Sequence, residues 1–245
     1  MISTQHNHQT INLFSKSPSD SFFGRAPMIY DELNQSDILF VGVNPSFIEI
    51  EKSHQFIKDN CTKNNATAYL SNLDKVSFEA LFYDLGSVKS NSKQLGDIHK
   101  VFKQHYPYFK KFNEIATQVN VSFEHLDLFP VRETSQKLVT KLIGQNQDFT
   151  DACFDIFLST LNQISPKAII IENSFIRDVL INSSHPEIRN YFPRFEFKSF
   201  KFNEVGTPIN KHGMAVYYTS MLTGQRAIDL GSYNRLIWSL NKFLN

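Results

Sequence analysis

Polar side chains able to bind or activate a ligand follow four separate apolar runs in this 245-residue chain. They comprise an amide, a carboxylate, a second amide and a hydroxyl-rich turn: Asn44, Asp127, Asn173 and residues 218–220. An amide can orient water or another amide, a carboxylate accepts hydrogen bonds, and hydroxyls bind carbonyl or phosphate oxygens. Because each group follows a different run, the sequence predicts one site assembled from several chain segments.

The apolar runs themselves are typical of strands buried on both faces, as in a parallel sheet. Together with the polar residues that end three of them, they cover residues 37–46, 121–130, 166–171 and 213–220. Segments with helical apolar spacing separate or follow them, at 96–118, 147–164, 174–181 and 226–244. This alternation predicts an α/β fold, a three-layer α/β/α sandwich with a central, mostly parallel four-stranded sheet. Ligands of such sheets bind beyond the carboxyl ends of the strands, where the polar residues lie.

Composition narrows the class of protein. The chain has 25 Lys and Arg against 24 Asp and Glu, so bulk charge favours neither nucleic acid nor membrane. Its two cysteines cannot fill a four-thiolate metal site or form a disulfide scaffold, and no cofactor is expected. The sequence has no long apolar stretch and no signal-like N-terminus. We therefore expect a cytoplasmic monomer with a flexible N-terminal arm over residues 1–20 and one domain over 21–245.

The first motif is Gly42-Val43-Asn44-Pro45-Ser46, at the end of the first strand. Proline fixes its own φ and biases the preceding residue away from helix. Asn44 would then be held rigidly at the strand tip, ready to orient a water or a ligand amide. The alternative is an ordinary strand-to-helix turn in which Ser46 caps the helix.

The second motif, residues 218–226, follows the last strand and opens the last helix. Ser220, Thr223 and the first backbone amides of a helix can hold a phosphate. Leu222 is expected to be exposed in this loop, where an apolar side chain could enter a stack of bases. The alternative is a hydrophobic staple for the helix that follows.

Together these motifs resemble the uracil-DNA glycosylase superfamily. Residues 42–45 resemble its first motif, closest to the Gly-Ile-Asn-Pro form of the mismatch-specific branch. Residues 218–226 resemble the second, with matches at Ser220, Leu222 and Arg226. Asp127 to Arg132 is similar to the segment after the second strand. Cys153 with Leu158, and residues 166–171, resemble a helix and strand of the same superfamily. The resemblance covers about residues 35–240.

The resemblance implies DNA base excision, in which a flipped uracil or related damaged base is cut from its sugar. Its catalytic residues would be Asn44, which positions the attacking water, and Tyr218. The resemblance also implies two binding sets. The substrate-binding set is Gly42, Val43, Pro45, Ser46, Phe47, Asp127 and Asn173. The DNA-binding set is Ser220, Met221, Leu222, Thr223 and Arg226.

Two positions depart from the family pattern. Tyr218 and Thr219 stand where the second motif usually has His-Pro, and Asp127 stands at or beside a base-reading Asn. A carboxylate only accepts hydrogen bonds unless it is protonated, so it cannot mimic an amide against uracil. Two alternatives follow. One is a catalytically degenerate module of this fold that binds nucleic acid or a protein partner, and the other is a hydrolase of free nucleosides or nucleotides using the same pocket.

Overall fold

One mixed six-stranded sheet is present in the computed structural model of the chain, which describes residues 1–16, 24–45, 49–61, 66–192, 201–204, 206–222 and 227–245. Its strands are β1 Ile38–Gly42, β2 Phe123–Asp127, β3 Ala168–Ile171, β4 Lys201–Phe202, β5 Pro208–Ile209 and β6 Ala215–Tyr218. Their order is β2-β1-β3-β6-β5-β4. Strands β2, β1, β3 and β6 pair in parallel, and β5 pairs antiparallel with both β6 and β4.

The predicted α/β class is confirmed, whereas the predicted four-stranded sheet is wrong. The four predicted strands became β1, β2, β3 and β6. Strands β1 and β3 are apolar along their length, as expected for strands covered on both faces, whereas β2 contains Glu124, His125 and Asp127. All residues of β1 and β3 are buried. The two missed strands have two residues each, too few to show a period of two.

Ten helices occupy much of the described chain. They are α1 Ile2–Lys16, α2 Ile50–Asn60, α3 Lys75–Tyr83, α4 Ser92–His105, α5 Pro107–Val119, α6 Gln136–Gln145, α7 Gln147–Ile164, α8 Ser174–Asn182, α9 Pro186–Tyr191 and α10 Leu230–Leu244. The predicted helix over 147–164 is confirmed by α7. The predicted helix over 96–118 is instead divided between α4 and α5. Pro107 begins α5, since proline suits the first position of a helix and not its interior.

The expected flexible arm is helix α1 over most of its length. Ser3, His6, Thr10 and Phe14 are buried, at a spacing of three or four residues that places them on one side of the helix. Asn7 joins this helix to Tyr30, donating to its carbonyl at 2.7 Å and accepting from its amide at 3.0 Å. The polar composition concealed α1, because three of its four buried residues are Ser, His and Thr.

The chain divides into two compact units. Unit 1 comprises residues 1–33, 44–109 and 129–156, and unit 2 comprises 34–43, 110–128 and 157–245. The core of unit 1 includes Ile57, Phe78 and Leu95, each fully buried. In unit 2, Phe112 of α5 stacks on Phe40 of β1, with ring centroids 4.3 Å apart. The expectation of one domain over residues 21–245 stays a prediction.

Candidate functional site

The carboxyl ends of the four parallel strands form an aligned row in unit 2. Gly42 pairs with Asp127, Val41 pairs with Ile171, and Ile171 pairs with Tyr218. The chain passes from β1 to β2 on one side and then to β3 on the other, so the strand order reverses beside β1. In sheets of this kind ligands bind at such a reversal, outside the carboxyl ends. The row therefore contains the position where a ligand is expected.

Gly42, Asp127 and His125 form a close contact in this row. A Cβ built on Gly42 would overlap Asp127 Oδ1 and would lie 2.8 Å from His125 Nε2. The imidazole and carboxylate lie two residues apart on β2, with His125 Nε2 3.8 Å from Asp127 Oδ1. The ring of His125 also stacks on Phe112, with centroids 5.5 Å apart. Glycine at position 42 thus makes room for two buried side chains of the neighbouring strand.

Glu172 is a functional candidate that the sequence reasoning missed. It follows β3 directly, one residue beyond Ile171, and is buried. Burial raises its pKa to about 8, because a charged carboxylate is poorly solvated there. Near neutral pH this carboxyl is largely protonated and can donate a hydrogen bond. An acidic residue directly after a wholly apolar strand was the available signal.

Tyr218 ends β6 within this row, and Asn173 lies two residues beyond the end of β3. Burial raises the pKa of Tyr218, and the nearby charge of Arg177 opposes that shift only partly. Its hydroxyl is therefore neutral at physiological pH and able to donate. Asn173 caps α8, and its side-chain oxygen accepts from the Phe175 amide at 2.8 Å. That oxygen is thus committed to the helix cap.

The second motif differs from the expectation at Leu222. Leu222 is only 2% exposed, so the prediction of an exposed apolar residue there is wrong. Its neighbour Met221 is 41% exposed, and Ser220 is also exposed. Local polarity suggested exposure at Leu222, but its burial depends on packing that the local sequence does not encode. Thr223 and Arg226, with Ser46 and Phe47 of the first motif, lie outside the described residues.

Of the remaining first-motif residues, Val43 is half-buried in unit 2, while Asn44 and Pro45 belong to unit 1. Asn44 Nδ2 donates to the carbonyl oxygens of Val131 at 3.1 Å, Glu133 at 2.5 Å and Pro45 at 3.3 Å. Because carbonyls only accept, they fix the nitrogen of the amide toward themselves. The amide oxygen is correspondingly oriented as an acceptor on the other side.

Unit 1 contains an open cavity of about 510 Å³ close to this amide. Glu133, whose carbonyl binds Asn44, is one of its walls. Four carboxylates and two cations line the cavity, and Arg25 pairs with Glu133 at 3.0 Å. The complete lining is Arg25, Glu49, Ile50, Glu51, Lys75, Glu79, Tyr83, Glu133 and Thr134. Glu49 also pairs with Lys52, at 2.9 Å, so the lining has only a slight negative excess, which favours neutral or cationic ligands over phosphates.

The part of the chain that the structure describes offers few residues for metal binding or thiol chemistry. Within it, no three His, Cys, Asp or Glu side chains are grouped as a metal site would require. Cys61 and Cys153 are both buried and not disulfide-bonded. Burial raises the pKa of each thiol. None of the described helices is both long and apolar enough to cross a bilayer.

Comparisons with protein-family models, with curated proteins and with solved structures found no match to this chain. The candidate functional residues form two sets, which are the strand-end row of unit 2 and, in unit 1, Asn44 together with the cavity that Glu133 lines.

Proposed function

We propose that the protein hydrolyses the N-glycosidic bond of a damaged or mispaired base in DNA. The proposal includes a three-layer α/β/α arrangement and a monomer that acts on DNA. It begins from the sequence resemblance of residues 42–45 and 218–226 to uracil-DNA glycosylases. The observation that carries it further is the orientation of the Asn44 amide.

Asn44 has the geometry that a water-positioning residue needs. Three carbonyl acceptors hold its nitrogen, so its oxygen can accept a hydrogen bond from a water molecule. A neutral amide is a weak base, yet it suffices where the bond to the base breaks before water adds. The cationic sugar then depends on electrostatic stabilisation by its surroundings more than on a strong nucleophile.

Within unit 2, the strand-end row contains groups that can hydrogen-bond to a base. Tyr218 is a neutral donor that can bind a base carbonyl, replacing the histidine of the family's second motif. Glu172 is protonated over much of the neutral range and can donate in the same way. Asp127 accepts from an N–H or an exocyclic amine, which favours a base other than uracil.

An oligonucleotide panel tests the proposal. It carries uracil, hypoxanthine, xanthine or thymine opposite guanine, each as single and double strands. We expect abasic sites from at least one of these substrates, and their loss in Asn44→Ala. Asn182→Ala, an exposed asparagine of α8, is the matched control and should retain activity.

Binding measured on the same samples separates the outcomes. If Asn44→Ala binds DNA normally but releases no base, Asn44 acts in the chemical step. If wild-type protein in excess at low salt releases no base, the proposal fails. Salt-dependent binding without release would then indicate the degenerate DNA-binding module.

A second candidate, hydrolysis of free nucleosides, is favoured by two observations. Leu222 is buried, which removes the exposed wedge that argued for a stacked substrate. The cavity beside Asn44 has more carboxylates than cations, and carboxylates accept hydrogen bonds from sugar hydroxyls more readily than they tolerate phosphates. Base release from purine and pyrimidine nucleosides, followed by chromatography, tests it. Release of bases from nucleosides, without release from oligonucleotides, would favour this candidate.

A further inference from the structure

The chain's only tryptophan lies on the surface of α10. Trp238 is 52% exposed, an unusual position for so large an apolar side chain. The neighbouring residues on the same side of the helix are Arg235, three positions before it, and Lys242, four positions after it. Side chains at these spacings are adjacent on a helix surface. We refer to Arg235, Trp238 and Lys242 as the α10 outer face.

The charge of the α10 outer face is unbalanced. Helix α10 contains no Asp or Glu, and the carboxylate of its N-cap residue, Asp229, accepts from the Ser232 amide. Both Arg235 and Lys242 are exposed and form no ion pair with any residue in the described ranges. By contrast, Lys100 pairs with Asp31 at 3.0 Å.

We propose that the α10 outer face binds single-stranded nucleic acid, with a base stacked on Trp238 and backbone phosphates on Arg235 and Lys242. The two cations lie seven residues apart, roughly 10 Å along the helix, with the indole between them. This arrangement suits a strand whose phosphates flank an unpaired base. An exposed aromatic ring with flanking cations is the usual combination in such sites.

An acidic protein partner is a poorer match. A stable protein interface buries about 800 Å² on each side around an apolar centre. On the central part of α10 the exposed neighbours of Trp238 are polar or charged, such as Asn234 and Arg235. A nucleic-acid base can gain affinity by stacking on a single aromatic ring, whereas a protein interface needs a continuous apolar patch.

The inference rests on the proposed action on nucleic acid but concerns residues with no role in base release. Trp238 gives it a direct reporter, because indole fluorescence excited beyond tyrosine absorption comes from this position alone. Titration of the full chain with an oligothymidylate should quench that emission. Polyglutamate of equal length should not, and equal quenching by both would overturn the inference.

Variants measure the contribution of each group through the anisotropy of a labelled oligothymidylate. Trp238→Ala should weaken binding at least about fivefold, and Trp238→Phe less. The double change Arg235→Ala and Lys242→Ala should reduce the slope of log affinity against log salt by about 1.4. Lys137→Ala with Lys141→Ala, two exposed lysines of α6, is the charge-matched control. Equal losses in the two double variants would contradict the inference.

This experiment and the base-release assay can fail separately. Quenching without base release leaves the α10 outer face as a nucleic-acid site and rejects the glycosylase proposal. Base release without quenching retains the glycosylase proposal and rejects the α10 outer face.

Discussion

The carboxylate of Asp127 occupies the space where a side chain on Gly42 would begin. These residues are register partners on β2 and β1, at the carboxyl ends of both strands. Glycine in the first motif therefore has a structural cause within the sheet, independent of any ligand.

Gly42→Ala should displace the Asp127 carboxylate and destabilise the protein by about 1 to 3 kcal/mol, the usual effect of overpacking. Asp127→Ala removes the obstructing oxygen, so the double variant should lose less than the sum of the single losses. Urea unfolding of the four proteins measures the coupling. Strict additivity would show that the Gly42–Asp127 contact is not what requires glycine.

Asn44→Asp should destabilise the protein more than Asn44→Ala at pH 7. The aspartate would direct a carboxylate oxygen at three carbonyl oxygens that now accept from Nδ2. Both variants leave these carbonyls unpaired, so the loss beyond that of alanine, about 1 to 3 kcal/mol, comes from the carboxylate oxygen, which faces other acceptors and lacks a donor. Thermal unfolding of both variants provides the measurement, and equal stability would contradict the assigned orientation of the amide.

Glu172 should make the folded state less stable at high pH. Its folded pKa, about 8, exceeds the ordinary value of 4.5, so the unfavourable effect appears as pH rises from 4.5 through 8. Glu172→Gln should remove this dependence and gain up to about 5 kcal/mol over wild type above pH 8. Urea unfolding from pH 5 to 9 compares the two proteins. If the difference in unfolding free energy between the two proteins stays constant across that range, the carboxyl lies in a more polar environment than proposed.

His6 should make the folded state less stable at low pH rather than at high pH. Burial lowers its folded pKa from 6.5 to about 4, so its stability contribution is complete above pH 6.5 and is lost as pH falls through 4. His6→Phe should remove about 3 kcal/mol of this pH dependence, since phenylalanine takes up no proton. His8→Phe, at an exposed position of the same helix, is the control. If both variants keep the wild-type profile, His6 does not titrate as a buried group.

Alanine substitutions at the adjacent residues Leu222 and Met221 should differ in their effect on stability. Leu222→Ala opens a buried space and should cost about 2 to 5 kcal/mol of unfolding free energy. Met221→Ala removes an exposed side chain and should change stability by less than about 0.5 kcal/mol. If Met221→Ala proved more destabilising than Leu222→Ala, the burial of Leu222 would be contradicted.

Much of the sheet was predictable from the sequence because its central strands are apolar without interruption. The runs at 37–46 and 166–171 predicted β1 and β3, and the polar residues after them marked the strand ends. Helix α7 was equally clear from its apolar spacing. Local patterns suffice where burial covers a whole strand or one full side of a helix.

Other features required tertiary structure. The burial of Leu222 and Glu172 is not apparent from the residues beside them in the sequence, and the docking of α1 depends on Asn7 meeting the backbone of Tyr30. Strands β4 and β5 form by pairing beside β6 and have no period of their own.

By itself, the sequence determined the α/β class, the four parallel strands and the polar residues at their ends, since each depends on a local pattern of apolar and polar residues. Only the tertiary structure decided which residues meet at those ends. It placed Asp127 against Gly42, turned the Asn44 amide toward three carbonyls and buried Leu222. These contacts join residues far apart in the chain or depend on packing from several directions, which a local pattern cannot encode.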